Sequence, residues 1–309
     1  MKKQTNWLIG RIFLLMENQL IQLYLFICRI YDTRSQTCFQ RASNNSEPNF
    51  TDQELVCIWF FGHLNDKFQK KQVYNFIACY WADWFPRLPS YQTFCYRLNL
   101  LEQIFQSIGA ELFTHLSRAQ TPELDHLIDS FPVMLAQNGH AYSARVARDV
   151  ADVGYCAAKK TYFHGVRLHT IAERRFAQLP SPSQIWLCEA SHHDLTAAKE
   201  QRLVLPNTTL IADLAYPEAE FENSLAEQNT LLYSGRKKPK GADLTKFEKY
   251  HNRLISKFRQ PIESLFNWIN EKTQIQKASK VRSTNGLMLH CWGKLAVAFF
   301  LLVFNYRFA

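Results

Sequence analysis

The chain has 309 residues, 47% of them hydrophobic and 14% aromatic, which supplies a sizeable core and excludes a disordered polymer. Its formal charge is +9, and the stretch from Arg236 to Arg282 carries that whole excess, with thirteen Lys or Arg against Asp243, Glu248, Glu263 and Glu271. Eight scattered cysteines with no Cys-x-x-Cys pair exclude a disulfide framework and a zinc ribbon, and fit a reducing cytoplasm.

In chain order, residues 1–32 read as one amphipathic helix, with Leu8, Phe13, Leu14, Leu20, Ile21, Tyr24 and Ile27 as its apolar positions. Arg11 and Glu17 interrupt it and no small-residue cleavage site follows, so a secretory signal is not expected. Thr33 to Pro48 is polar and reads as a linker, closing a first segment over 1–50. Residues 51–120 are helical in pattern, with Leu55, Ile58 and Trp59 in one helix and Val73, Phe76, Ile77 and Tyr80 in another. Pro86 and Pro89 break the chain, and Ser90 is placed to cap a third helix over Tyr91–Leu112. Helix-turn-helix spacing of this kind suits DNA contact through Tyr91, Gln92 and Arg97, and equally suits a purely packing role.

The pattern changes near residue 124, and 121–309 reads as a further domain. Strands are expected at Leu124–Leu135, Thr161–Ala172, Gln184–Cys188, Thr208–Asp213 and Thr230–Tyr233, with helices at Leu195–Gln201 and Ala219–Gln228. From Leu244 a helical pattern runs through Phe247, Tyr250, Leu254, Phe258, Ile262, Leu265 and Ile269. Pro261 should kink that helix or start a new one, which would set Glu263 at its third position, where an acid also serves the helix dipole. The ten apolar residues Leu295–Phe304 are too few to cross a bilayer and read as a buried helix. The sum is an α/β mixed sheet behind an all-helical region.

Asp129 and Asp213 each close an apolar run, His126-Leu127-Ile128-Asp129 and Leu210-Ile211-Ala212-Asp213, while Glu263 lies inside the basic helix. Carboxylates from two strand ends and one helix can converge on divalent cations, for which oxygen donors suit Mg2+ and Mn2+. His192, His193 and Asp194, with Cys188 and His169, offer donors suited to zinc, but at spacings that match no familiar site. Asp194 or Thr196 capping the following helix is the plainer reading. The tract Arg236-Lys237-Lys238-Pro239-Lys240 reads as a phosphate-contacting loop.

Five phrases in order carry a family resemblance: Asp129-Ser130-Phe131-Pro132, Tyr162 to His169, Ala190-Ser191-His192-His193-Asp194, Ile211-Ala212-Asp213-Leu214-Ala215-Tyr216, and Arg259-Gln260-Pro261-Ile262-Glu263. The series, over roughly Glu54 to Phe304, resembles the DDE transposases of bacterial insertion sequences, most closely the 982-type group. The resemblance implies an RNase H-like domain with Asp129 on the first, central strand and Asp213 on the fourth, beside it. It implies that Asp129, Asp213 and Glu263 hold two Mg2+ ions, which Mn2+ can replace, about 3.5–4 Å apart. It implies cleavage of element ends and joining of the 3′ ends to target DNA. Inverted-repeat and target duplexes are the expected partners, in a cytoplasmic, nucleoid-associated homo-oligomer with no membrane. Arg97, Arg167, Arg236, Lys237, Lys238, Lys257, Arg259 and Lys272 are the expected DNA contacts. Related elements often place a tyrosine and a lysine where Ser256 and Asn270 stand here, so Lys257 or Lys272 would take over phosphate contact. The alternatives are an inactive DNA-binding relic and an RNase H-like nuclease without strand transfer.

Overall fold

The computed structural model describes residues 2–33, 48–118, 124–238, 241 and 243–304. Nearly all of the expected linker, the 120/121 boundary, and Pro239 and Lys240 of the basic tract lie outside them. Two compact units are present, Met1–Leu112 with Met288–Ala309, and Phe113–Leu287.

The first unit is helical: α1 (Lys2–Thr33), α2 (Asp52–Leu64), α3 (Lys70–Tyr80), α4 (Tyr91–Asn99), most of α5 (Glu102–Arg118), and all but the first turn of α10 (Thr284–Phe304). A capping box starts α2, the Thr51 N–H donating to Glu54 Oε2 at 2.5 Å and the Glu54 N–H to Thr51 Oγ1 at 3.2 Å. Its sequence is apolar almost all round, and Leu55 to Phe61 are accordingly buried without a break. Ser90 caps α4 by accepting from the Thr93 N–H. The single helix expected over Tyr91–Leu112 is two helices. Asn99, a poor helix former, ends α4 with its side chain turned to the Lys70 ammonium, and Glu102 starts α5 with an acid in the first turn.

The C-terminal helix is longer than its ten-residue apolar run suggested. At 21 residues, with a mean hydropathy of 2.0 over its apolar 18-residue window, α10 passes by length and composition for a membrane span. Its apolar window is 72% buried, however, and it packs as a core helix. Trp59 Nε1 donates to the Gly293 carbonyl at 3.0 Å, and Phe300 meets Phe26 and Phe60 edge-on at 5.4 and 5.7 Å.

The second unit is a mixed sheet of β1 (Asp125–Gln137), β2 (Asp152–Cys156), β3 (Thr161–Glu173), β4 (Ser181–Glu189), β5 (Thr209–Ile211) and β6 (Leu231–Tyr233). Its strand order is β2-β3-β1-β5-β6, with β4 also on β3. β1 runs antiparallel to β3 and parallel to β5, and β5 parallel to β6. β2 and β4 share one edge of β3, Gly165 pairing with Asp152 and Val166 with Glu189. They meet so closely that a Cβ at Gly154 would lie 2.0 Å from the Ala190 carbonyl oxygen, which only glycine permits. β2 was not foreseen, because Asp152-Val153-Gly154-Tyr155-Cys156 is short and carries that glycine.

Helices α6 (Gly139–Ser143), α7 (Asp194–Glu200), α8 (Ala219–Ala226) and α9 (Lys246–Thr273) flank the sheet. One face buries Ile128, Ile171 and Leu210 with Ala198 of α7 and Phe221 and Leu225 of α8. Strand alternation turns Asp129 and Phe131 the other way, where Phe131 meets Phe266 of α9 at 4.6 Å. The result is an RNase H-like α/β fold. Pro261 does not restart the helix: α9 is continuous for 28 residues with Pro261 inside it. Buried Ile255, Ile262, Leu265, Phe266 and Ile269 on either side hold it to the sheet, at the cost of one helical donor to the Lys257 carbonyl. Glu263 is therefore a mid-helix residue and no first-turn dipole partner.

Candidate active site

Parallel pairing of β1 with β5 puts Leu127 opposite Ile211. Asp129 and Asp213 each lie two residues beyond that pair, on the same face by alternation, which brings the two acids together at one end of neighbouring strands. β1 continues through Asp129, whereas β5 has ended and Asp213 stands in the turn, its Oδ1 accepting the Ala215 N–H. Asp129 is fixed from two sides. Its Oδ1 accepts the Ser130 N–H at 2.8 Å, and its Oδ2 accepts from Arg259 Nη2 at 2.8 Å. The same Nη2 lies 3.7 Å from Glu263 Oε1, one turn along α9. A single guanidinium nitrogen thus stands where carboxylates of a strand and a helix converge.

The electrostatics follow from that enclosure. Burial pushes the Asp129 carboxyl up to about 6, the Arg259 guanidinium and the Ser130 N–H pull it back, and the charge of Asp213 adds to the rise. Glu263 is the open member, its side chain 58% exposed against 18% for Asp129.

A second polar group lies on the opposite face of β1. Ser130 Oγ donates to Asp194 Oδ1 at 2.7 Å, and Arg167 Nη1 lies 3.5 Å from the same oxygen. His169 Nε2 lies 3.1 Å from Cys188 Sγ and 4.0 Å from Asp194 Oδ1. Burial lowers the His169 imidazole to about 4 and raises the Cys188 thiol to about 12, so both are neutral near pH 7. Asp194 does not cap α7, whose N-cap is His193, and instead braces the residue next to Asp129. Sequence did not foresee Ser130 and Asp194 as supports; the only signal was their place within the runs Asp129 to Pro132 and Ala190 to Asp194. His192 faces Glu189 and Glu200 rather than joining His169 and Cys188, which leaves the zinc spacing unfulfilled.

The expected DNA contacts fall into two sets. Arg97 is spent inside the helical unit on Asp52 and the Phe50 carbonyl, both at 2.6 Å. Arg167 is spent on the Ala190 and Tyr155 carbonyls and Asp194. Lys238 pairs with Asp243 at 2.7 Å, and Lys272 with its neighbour Glu271 at 3.0 Å, both in solvent. Arg236, Lys237 and Lys257 are exposed. Asn270, at the position where the resemblance led a lysine to be expected, accepts the Gln276 N–H at 3.2 Å.

Residues 122–300, more than half of the chain, match the transposase DDE domain family, and the chain belongs to that family. Membership makes it a nucleic-acid-processing enzyme of DNA transposition and recombination, with DNA as its partner and divalent metal ions as the family's general requirement. No curated protein and no solved structure matches the chain.

As the side chains stand, no three His, Cys, Asp or Glu among the described residues are close enough together to hold a metal ion. The donor set nonetheless fits one. Asp129, Asp213 and Glu263 offer only carboxylate oxygens, and a cationic nitrogen already sits between two of them.

Proposed function

We propose that the protein is an insertion-sequence transposase of the 982-type group, which cleaves the ends of its element and joins the 3′ ends to target DNA. The observation that carries this reading is the Arg259 nitrogen held 2.8 Å from Asp129 and 3.7 Å from Glu263, beside Asp213. Asp129, Asp213 and Glu263 would hold two Mg2+ ions, or Mn2+ in their place. Such ions supply activation of a water or 3′-hydroxyl and stabilisation of the leaving oxygen in phosphoryl transfer.

The remaining work belongs to the chain. Ser130 fixes one oxygen of Asp129, and Asp194 holds Ser130 from behind. Arg259, once released from Asp129, is placed to receive a DNA phosphate, and Lys257, two residues before it on α9, is exposed. Arg236, Lys237 and Lys238 supply further phosphate contacts next to the Asp213 turn. Exposed cations on one side and carboxylates on the other orient the scissile phosphate toward the acids. Paired element ends call for a homo-oligomer on DNA, associated with the nucleoid.

The test is cleavage of labelled duplex carrying the inverted repeats that flank the coding region, with Mg2+ or Mn2+, by the native protein and by Asp213→Asn. Metal-dependent 3′-end nicking that vanishes in Asp213→Asn supports the reading. Equal nicking by both proteins overturns the acidic centre. Specific end binding without nicking by either indicates a DNA-binding relic, and nicking without preference for the repeats a plain nuclease.

A further inference from the structure

The first two and a half turns of α9 precede its buried stretch and carry two large rings into solvent, Phe247 at 76% and Tyr250 at 59% exposure. Among the described residues neither ring has an aromatic or cation–π partner. Helical spacing places Tyr250 among cations: Lys246 four residues before it, Lys249 adjacent, Arg253 three after and Lys257 seven after, all exposed. The acids nearby are occupied. Glu248 closes a capping box with Thr245, its Oε2 accepting that residue's N–H and Oγ1–H at 2.8 Å each, and Asp243 is paired with Lys238.

Asn252, on the other side of the helix, ties α9 to the basic loop. Its Oδ1 accepts the Arg236 N–H at 2.7 Å and its Nδ2 donates to the Arg236 carbonyl at 3.0 Å. Gly235 is pressed against Leu214, the residue after Asp213; a Cβ there would lie 2.8 Å from Leu214 Cδ2. The basic loop is thereby fixed between α9 and the Asp213 turn. Thirteen residues of helix separate Tyr250 from Glu263, about 20 Å at 1.5 Å per residue, or about six nucleotide steps of 3.4 Å.

We propose that Tyr250, with Phe247 beside it, is a stacking site for an unpaired base of a DNA strand whose phosphates run along Lys246, Lys249, Arg253 and Lys257. A paired duplex offers side chains its base edges, whereas a ring in a cationic surface suits the exposed face of an unstacked base. A second copy of the chain is the poorer occupant, since it would bring like charges together. The inference deepens the transposase reading and rests on it for the identity of the DNA.

The experiment measures binding of the full chain to a fully paired duplex and to a gapped duplex carrying 2-aminopurine about six nucleotides from the end. Tyr250→Ala is expected to lose about 5- to 150-fold in affinity for the gapped duplex, together with the fluorescence quench. Its affinity for the paired duplex should stay within about twofold, and Tyr250→Phe, which keeps the ring, should bind both like the native protein. Arg253→Ala should weaken both complexes and reduce the salt slope by about one. Equal loss on both duplexes overturns the proposal, as does no preference for the gapped one. So does a change of oligomeric state in Tyr250→Ala with DNA affinity intact, which would identify a contact between copies. Asp213→Asn, assayed alongside, separates the two readings, because it removes nicking but leaves a stacking site in place.

Discussion

Arg259 Nη2 and Asp129 Oδ2 are 2.8 Å apart, so the most enclosed carboxylate of the centre is neutralised by a residue of its own chain. A guanidinium there competes with any divalent cation for the same oxygen. Arg259→Gln should tighten Mn2+ binding several-fold in the absence of DNA, read by paramagnetic resonance or calorimetry. It should also lower the stability of the metal-free protein by about 1–3 kcal/mol, because Asp129 loses its charge partner. Weaker Mn2+ binding in this variant would show that Arg259 organises the site and does not block it.

Acidity should act on the same residue. Folding raises the Asp129 carboxyl to about 6, so the folded chain holds that proton more firmly than the unfolded one. The resulting stabilisation is complete below about pH 4 and lost as pH rises through about 6. Asp129→Asn should therefore be more stable than the native protein above pH 6, by up to about 2–3 kcal/mol, with the gap closing toward pH 4. Denaturant midpoints across that range test it, and a gap independent of pH would refute it.

Behind the centre, Ser130→Ala removes the hydroxyl that Asp194 accepts. A loss of about 1 kcal/mol in stability is expected, with a larger fall in Mn2+ affinity than in DNA affinity, because the residue whose backbone N–H holds Asp129 loses its anchor. Equal falls in both would place Ser130 in general packing.

In the helical unit Lys294 is buried, and burial lowers its ammonium to about 7. The unfolded chain binds that proton more readily than the folded one, so this lysine makes stability rise with pH from about 7 toward its ordinary value of 10.5. Lys294→Met should raise the melting temperature by several degrees at pH 7 and flatten the rise. An unchanged slope would assign the titration elsewhere.

The longer strands were the most legible elements. The alternation of Tyr162, His164, Val166 and Leu168 matches β3, and the two apolar runs closed by Asp129 and Asp213 match neighbouring strands, β5 being the fourth of the strands expected. What escaped depended on partners distant in sequence. β2 exists because β3 offers it an edge, and α9 passes through Pro261 because five apolar side chains bind it to the sheet. Arg97 and Arg167 resembled free cations until Asp52 and Asp194, remote in the chain, came beside them. Arg259 was read only as a DNA contact, since its acidic partner on β1 lies 130 residues away.

The two compact units also differ in how the chain builds them. The sheet unit is one uninterrupted stretch, Phe113–Leu287, and every strand that bears on the acidic centre has left the ribosome before α10 is made. The helical unit begins first and finishes last, because Trp59 waits for a carbonyl at Gly293, 234 residues downstream. During synthesis the catalytic fold can therefore close while α2 still exposes Phe60 and Trp59, and a chain cut short after the sheet would keep its acids but leave a helical core without its lid.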